Sequence, residues 1–446
     1  MNIPATIKYV NLIISALFCC CYAYQLFYIL VPFFSGRRTH GPAKYHRYAV
    51  LIAARNEEEV LPHLIESIRK QDYPGELIEI FVVADNCTDE TAAAAANCGA
   101  HVYQRFHRTR IGKGYALEFL LQNIYGDYGK EYFDGFFVFD ADNLLAENYI
   151  TEMNRVFSDG FQIVTSYRNS KNYGDNWISA GYALWFLRES KYLNQARMTL
   201  GTSCAVSGTG FLMSSDILQE CGGWKFYLLT EDIEFTVHNV VNGERIGYCR
   251  DAVLYDEQPV KFSQSCRQRL RWARGYLQVL RKYGLRLFRG IFRKKGFACF
   301  DMIMAIMPAF LLSSLGLAAN LVLGTAGLIQ GRGFGILAIE LVKSFFSSYL
   351  FLFGLGLIPL ITEWKKIYTK KIRKILSAFT FPIFMITYIP ITIAAMFRRV
   401  GWKPIEHKAA VTLEQVKGAP AVIKLGADHL VAEGGTRNGT DDIGGR

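Results

Sequence analysis

No Cys-x-x-Cys pair occurs among the ten cysteines, so the chain encodes neither a paired-thiolate zinc site nor a dithiol redox motif. The run Cys19-Cys20-Cys21 and the scattered remaining thiols read as reduced residues in apolar surroundings. Charge is also scarce. Charged residues make up 20% of the 446 against 51% hydrophobic, with a mean hydropathy of +0.13, which is too apolar for an ordinary large soluble enzyme and excludes a disordered chain. Acidic residues are missing altogether between Lys261 and Lys295, where Arg267, Arg269, Arg271, Arg274, Arg281, Lys282, Arg286, Arg289, Arg293 and Lys294 fall. Counted with Lys261 and Lys295, that stretch holds twelve basic residues, more than the net charge of +11, and leaves the rest near balance. Its natural partners are anionic. It adjoins an apolar segment and carries no nucleic-acid recognition motif, so membrane lipid is expected as a partner and nucleic acid is not.

Val10 to Phe34 contains no charge and is long enough to cross a hydrocarbon core of about 30 Å. Pro32-Phe33-Phe34 and then Arg37-Arg38 follow in place of a small-residue cleavage site, so residues 1–36 read as a transmembrane helix and not as a signal peptide. Basic residues at 37, 38, 44 and 47 follow this helix and only Lys8 precedes it, which puts the next domain in the cytoplasm beneath the cell membrane. Three more apolar segments, at 302–328, 344–362 and 376–397, make 299–400 a multi-pass C-terminal membrane domain. Pro382 and Pro390 point to a kink or a partly interfacial course in the last. Three later crossings leave the C-terminus outside, whereas Arg398-Arg399 looks like a cytoplasmic flank, so one segment is expected not to span fully.

Between the membrane parts, residues 45–260 alternate β-branched runs with helical patterns. Tyr48 to Ala54, Ile78 to Ala84, Phe136 to Phe139 and Gln162 to Ser166 read as strands, and Glu57 to Lys70 and Asp89 to Ala96 as helices. The expectation is a mostly parallel α/β sheet with helices on both faces and ligands at the carboxyl ends of its strands. Residues 261–298 read as basic interfacial helices, and the Gly-rich, unpatterned 411–446 as a flexible tail.

The polar motifs fall at those strand ends. Phe136 to Phe139 runs straight into Asp140-Ala141-Asp142, two carboxylates suited to a hard divalent cation, Mg²⁺ or Mn²⁺, that bridges a diphosphate. Ala53-Ala54-Arg55-Asn56-Glu57 follows the first strand and Asp85-Asn86-Cys87-Thr88 the second, with N-capping by Asn56 and Thr88 as the ordinary alternative. Lys113 stands between Gly112 and Gly114 at a helix start, a place for a phosphate, without the full phosphate-loop pattern. Thr230-Glu231-Asp232 offers a general base or a capped helix start. In Gln268-Arg269-Leu270-Arg271-Trp272, helical spacing groups Gln268, Arg271 and Trp272 and sets Arg269 about a quarter turn away. Arginine forks suit a diphosphate, and an indole suits the apolar face of a sugar.

The order of these motifs between membrane segments resembles the membrane-bound family 2 glycosyltransferases, the cellulose, hyaluronan and poly-N-acetylglucosamine synthases, over roughly 45–400. The resemblance implies a GT-A (Rossmann-like) cytoplasmic domain and an α-helical transmembrane domain. Ala53, Arg55, Asn56, Glu57, Asp85, Lys113 and Asp140 would bind the nucleotide donor. Asp140 and Asp142 would hold the metal, and Asp232, with Glu231 beside it, would be the base. Gln268, Arg269, Arg271, Trp272, Ser207, Gly208 and Thr209 would bind diphosphate and acceptor. Two departures weaken transfer of the substrates: Val206-Ser207-Gly208-Thr209-Gly210-Phe211 replaces the Phe-Phe-Cys-Gly type of segment, and Asn86 stands where some relatives carry aspartate.

The implied activity is inverting transfer of a hexose from a nucleotide-diphosphate donor, a UDP-sugar, to a growing polysaccharide, with export subunits as further partners. Transfer of a single sugar to a lipid or polyprenyl phosphate is the alternative. A non-catalytic scaffold or export partner could have lost Asp142 or Asp232, and both are present.

Overall fold

The computed structural model describes residues 3–36, 38–294, 296–306, 308–329, 334–398, 400–401, 407 and 409–418. Helix α1 (Ile3–Phe34) comes first, uncharged through its middle and with Leu12, Ile13, Phe27 and Leu30 exposed along its length. The chain then enters an eight-stranded sheet of order β3-β2-β1-β4-β7-β6-β8-β5. Strands β1 (Tyr48–Ala54), β2 (Ile78–Asp85), β3 (His101–Arg105) and β4 (Gly135–Asp140) are parallel neighbours. Of the others, β5 (Leu144–Leu145), β6 (Ile163–Ser170), β7 (Phe211–Ser214) and β8 (Ile246–Asp256), β7 lies antiparallel to both β4 and β6, while β6 and β8 are parallel. The sheet is therefore mixed. A continuous buried run such as β1 reflects cover on both faces, and its bounds match the expected strand to the residue.

Helices α2 (Leu61–Arg69), α3 (Thr91–Asn97), α4 (Lys113–Tyr128) and α5 (Tyr149–Ser158) cover the sheet. Next comes a continuous rod in which α6 (Trp177–Arg188) passes through one π turn (Glu189–Asn194) into α7 (Gln195–Leu200) with helical dihedrals at both joints. Helices α8 (Ser215–Glu220) and α9 (Glu231–Asn242) precede the long basic α10 (Phe262–Ile291), which exposes Leu285 and Phe288 among its charges.

Apolar helices follow: α11 (Gly296–Ile306), α12 (Pro308–Ile329), α13 (Phe334–Thr362), α14 (Lys371–Ile386) and α15 (Tyr388–Phe397). The break at Thr387 falls where Pro390 cannot donate back to Ile386, as the two prolines led us to expect. Among the described residues, three helices are long and apolar enough to cross a membrane: Ala5–Phe34, Phe345–Thr362 and Lys371–Phe397. The span expected at 302–328 takes in the end of α11 and most of α12.

The two parts are locked together by a buried ion pair. Arg197 in α7 donates to both oxygens of Asp301 in α11, at 2.8 and 2.9 Å, and the same carboxylate accepts from the hydroxyls of Tyr24 and Tyr28 in α1. The tail expected from 411 starts instead with an ordered helix, α16 (Leu413–Lys417), capped by Thr412 and packing Val416 on Leu144 and Tyr255. The remainder, 419–446, lies outside the described residues.

Candidate active site

The carboxyl ends of β1, β2 and β4 lie side by side, in a register that pairs Ala53 with Asp140. Polar groups after each strand therefore share one edge. Asn56 and Asn86 both adopt left-handed backbone, at φ 57° and 54°, which asparagine tolerates and which turns each loop sharply off its strand. The helix caps expected of Asn56 and Thr88 are not made: α2 and α3 start from Val60 and Glu90, and the Thr88 N–H donates to Asn56 Oδ1 at 2.8 Å, tying the two loops together. Ala53, Arg55, Glu57 and Asp85 line a cavity, whereas Asn56 is exposed and does not. Asp85 is buried and held by Arg105 at 2.5 Å.

Asp140 and Asp142 differ in setting. Asp140 is partly exposed and paired with Lys113, which also donates to the Gly208 carbonyl at 2.9 Å. Gly114 lets the start of α4 lie against the Phe226 segment: a Cβ there would sit 2.1 Å from the Phe226 carbonyl oxygen. Asp142 is buried and accepts from the Glu257 N–H at 2.8 Å. Burial alone would raise its carboxyl, but His407, Lys171, the Glu257 amide and Arg168 together hold it below the usual aspartate range. His407 in turn lies 2.8 Å from Glu57. Burial opposes its protonation, yet Asp142 and Glu57 outweigh that and lift the imidazole to about 10.

Thr209 does not line the cavity. It acts from behind, its hydroxyl accepting from the Asp140 N–H at 2.9 Å and donating to Asn143. Its neighbours Ser207 and Gly208 do line the cavity, and the Gly208 N–H donates to Asp232 Oδ2 at 2.6 Å. Thr230 gives α9 no side-chain cap, and its hydroxyl is buried without a partner, so the capped-start reading of Thr230-Glu231-Asp232 is not what the structure has. Burial raises both carboxyls, and Asp232 adds to the rise at Glu231. Gly275 lets α10 lie against this turn, since a Cβ there would meet Thr230 Oγ1 at 2.5 Å.

On α10, Gln268, Arg271 and Trp272 face the cavity, as their spacing requires. Arg269 does not. It is fully buried, donates to the Phe384 carbonyl and to Thr387 Oγ1, and stacks on Phe384 and Tyr388, so the diphosphate contact expected of it is replaced by an anchor between α10 and α14–α15. The sequence reading missed Asn143, Arg168, Asp256, Glu257, Glu189 and His407. Asp256-Glu257 at the end of a strand was a usable signal, and a lone histidine beyond the last apolar helix was not.

The cavity has a volume of about 1480 Å³ and does not end at the carboxylates. It continues past Trp185, Tyr276 and Tyr388 to Phe18 and Leu26 of α1, Leu312 of α12, Phe351 and Leu355 of α13, and Ile389 of α15. One end can hold charge and a hard cation; the other is walled by hydrocarbon.

Residues 46–275 match the model of the family described as Glycosyltransferase like family 2. The beta-monoglucosyldiacylglycerol synthase of Synechocystis sp. is 25% identical over 55% of this chain and 51% of its own length. The probable glycosyltransferase YdaM of Bacillus subtilis is 26% identical over 59% of this chain and 63% of its own length. The chain thus spans about half the length of the first of these relatives and less than two thirds of the second. Among solved structures, the mannosyltransferase PcManGT from Pyrobaculum calidifontis, in complex with GDP-Man and Mn²⁺, superposes with a TM-score of 0.55 at 16% identity, over 87% of this chain and 99% of that one. This likeness shows the GT-A-like fold. The first relative is named for a lipid product, so it does not carry the narrower likeness to polysaccharide synthases.

Proposed function

Because the chain belongs to the family 2 glycosyltransferases, we propose that it transfers a single hexose from a nucleoside-diphosphate donor, a UDP-sugar, to a hydroxyl of a membrane lipid. The observation that carries this reading is the one cavity that joins the carboxylate edge of the sheet to the apolar helices. A lipid can enter between the helices with its chains among Phe18, Leu26, Phe351 and Leu355 and present its headgroup at Asp232. The name of the Synechocystis relative supports a lipid acceptor over the polysaccharide that the motifs first suggested.

At the donor end, Asp85 and the Ala53–Glu57 loop hold the nucleoside, and Lys113 and Arg271 neutralise the diphosphate. Asp140 and Asp142 fit Mg²⁺ or Mn²⁺: both supply hard oxygen at the strand end, and Asp142 is held ionised. When bound there, the cation supplies charge neutralisation to the leaving diphosphate. Asp232 accepts the proton of the attacking hydroxyl. The hydroxyl oxygen forms the new bond to the anomeric carbon as the bond to the diphosphate breaks on the opposite face, which inverts that carbon. The Gly208 N–H fixes one Asp232 oxygen and so aims the other. The basic flank of α1 favours a multi-pass protein in the cell membrane with this site in the cytoplasm.

The test is purified protein with Mn²⁺ and labelled UDP-hexose, with and without vesicles containing diacylglycerol and monoglucosyldiacylglycerol. Lipid carrying one added sugar is the expected product. A long water-soluble glycan made equally well without added lipid would overturn the reading.

A further inference from the structure

Glu189 has no part in the mechanism above, yet it lines the same cavity as Asp232. It opens the π turn between α6 and α7, and such a turn displaces a side chain from the register of a regular helix. The residues around it place it at the membrane end: Arg188 donates to Gln25 of α1 at 2.8 Å, and the π turn packs against α1. Donor-side Asp85 and Lys113 belong to the opposite edge, on the β1–β2–β4 side of the sheet.

The nearby cations are committed elsewhere. Arg168 bonds Asp256 and the Ser207 carbonyl, and Arg197 bonds both oxygens of Asp301. Glu189 makes no ion pair within 4.0 Å among the described residues, and the Ser207 side chain is a hydrogen-bonding neighbour. Burial raises its carboxyl, and the two arginines and Ser207 only partly offset that rise. Glu189 is half-buried and lines the cavity, so hydrogen-bonding capacity of its carboxylate is open to a ligand that enters there.

We propose that Glu189 is a positioning residue for the acceptor, binding a second hydroxyl of the headgroup while Asp232 takes the proton from the first. The inference rests on the lipid-acceptor reading and refines it: the preferred acceptor is a neutral lipid whose headgroup carries at least two hydroxyls, such as a glycosyl lipid. A headgroup with one hydroxyl leaves Glu189 unsatisfied, and a phosphate would face Glu189, Glu231 and Asp232 together.

The test compares kcat/KM for monoglucosyldiacylglycerol and for diacylglycerol in the wild type, Glu189→Ala and Glu189→Gln. The wild type should favour the glycosyl lipid by about tenfold or more. Glu189→Ala should bring that ratio toward one with the donor KM within about twofold, and Glu189→Gln, which can still hydrogen-bond a hydroxyl, should keep much of it. A wild type that favours diacylglycerol, or a ratio unchanged in Glu189→Ala, overturns the inference while lipid transfer stands. Failure to glycosylate either lipid overturns both.

Discussion

Asp301→Ala should be among the most damaging single changes in the chain, although it lies outside the candidate active site. The wild-type carboxylate is fully buried and accepts four hydrogen bonds, from Arg197 at 2.8 and 2.9 Å, Tyr24 at 2.8 Å and Tyr28 at 2.9 Å. Its removal strands a guanidinium that is 1% exposed, at about 3–5 kcal/mol, and two phenols at about 1 kcal/mol each. Arg197→Met should cost less, because Asp301 keeps its hydrogen bonds from Tyr24 and Tyr28. Arg197→Met with Asp301→Leu should recover much of the loss, since a hydrophobic replacement of a buried pair is often close to neutral. Thermal unfolding of the purified protein in one detergent would rank the four proteins, with Asp301→Ala lower in Tm by roughly 5 °C. A double variant no more stable than Asp301→Ala would refute the argument that an uncompensated charge, and not lost packing, sets the cost.

Asp232→Asn should lower turnover by about 10²-fold or more with donor affinity little changed, and a normal rate would shift the role to Glu231. Burial raises the Asp232 carboxyl and activity needs it ionised, so the acid limb of turnover should lie above the ordinary aspartate range and vanish from the residual rate of that variant. Asp142→Asn should weaken the response of UDP-sugar binding to Mn²⁺, read by titration calorimetry; an unchanged Mn²⁺ titration would move the cation elsewhere. Arg271→Met should raise the donor KM about tenfold and leave Tm near wild type, whereas Arg269→Met should lower Tm with donor KM little changed. The reverse pattern would contradict their placement on α10.

Periodicity and punctuation made much of the sheet legible. Strands buried on both faces announce themselves as apolar runs, and β1, β2 and β4 were placed within a residue or two. The reading failed where that signal is diluted: β8 carries Arg250 and Asp251 in its middle, and the short β7 lies in a Gly-rich stretch, so of that half of the sheet only β6 was anticipated and the antiparallel β7 went unseen. Motif order identified the family but could not say which face each side chain takes. Arg269 shows the gap, because a charge next to two cavity residues is still a quarter turn away from them. His407 and Glu189 had no local pattern at all, since their meaning comes from what the fold brings beside them.

The contact between His407 and Glu57 sets an order of events as well as a geometry. The loop that receives the histidine leaves the ribosome early, and the histidine itself follows the apolar helices α11 to α15. The carboxylate edge can therefore be completed only after those helices have emerged. A nascent chain lacking that last stretch has its carboxylates without their imidazolium, so full closure of the edge is postponed until the apolar helices have been made.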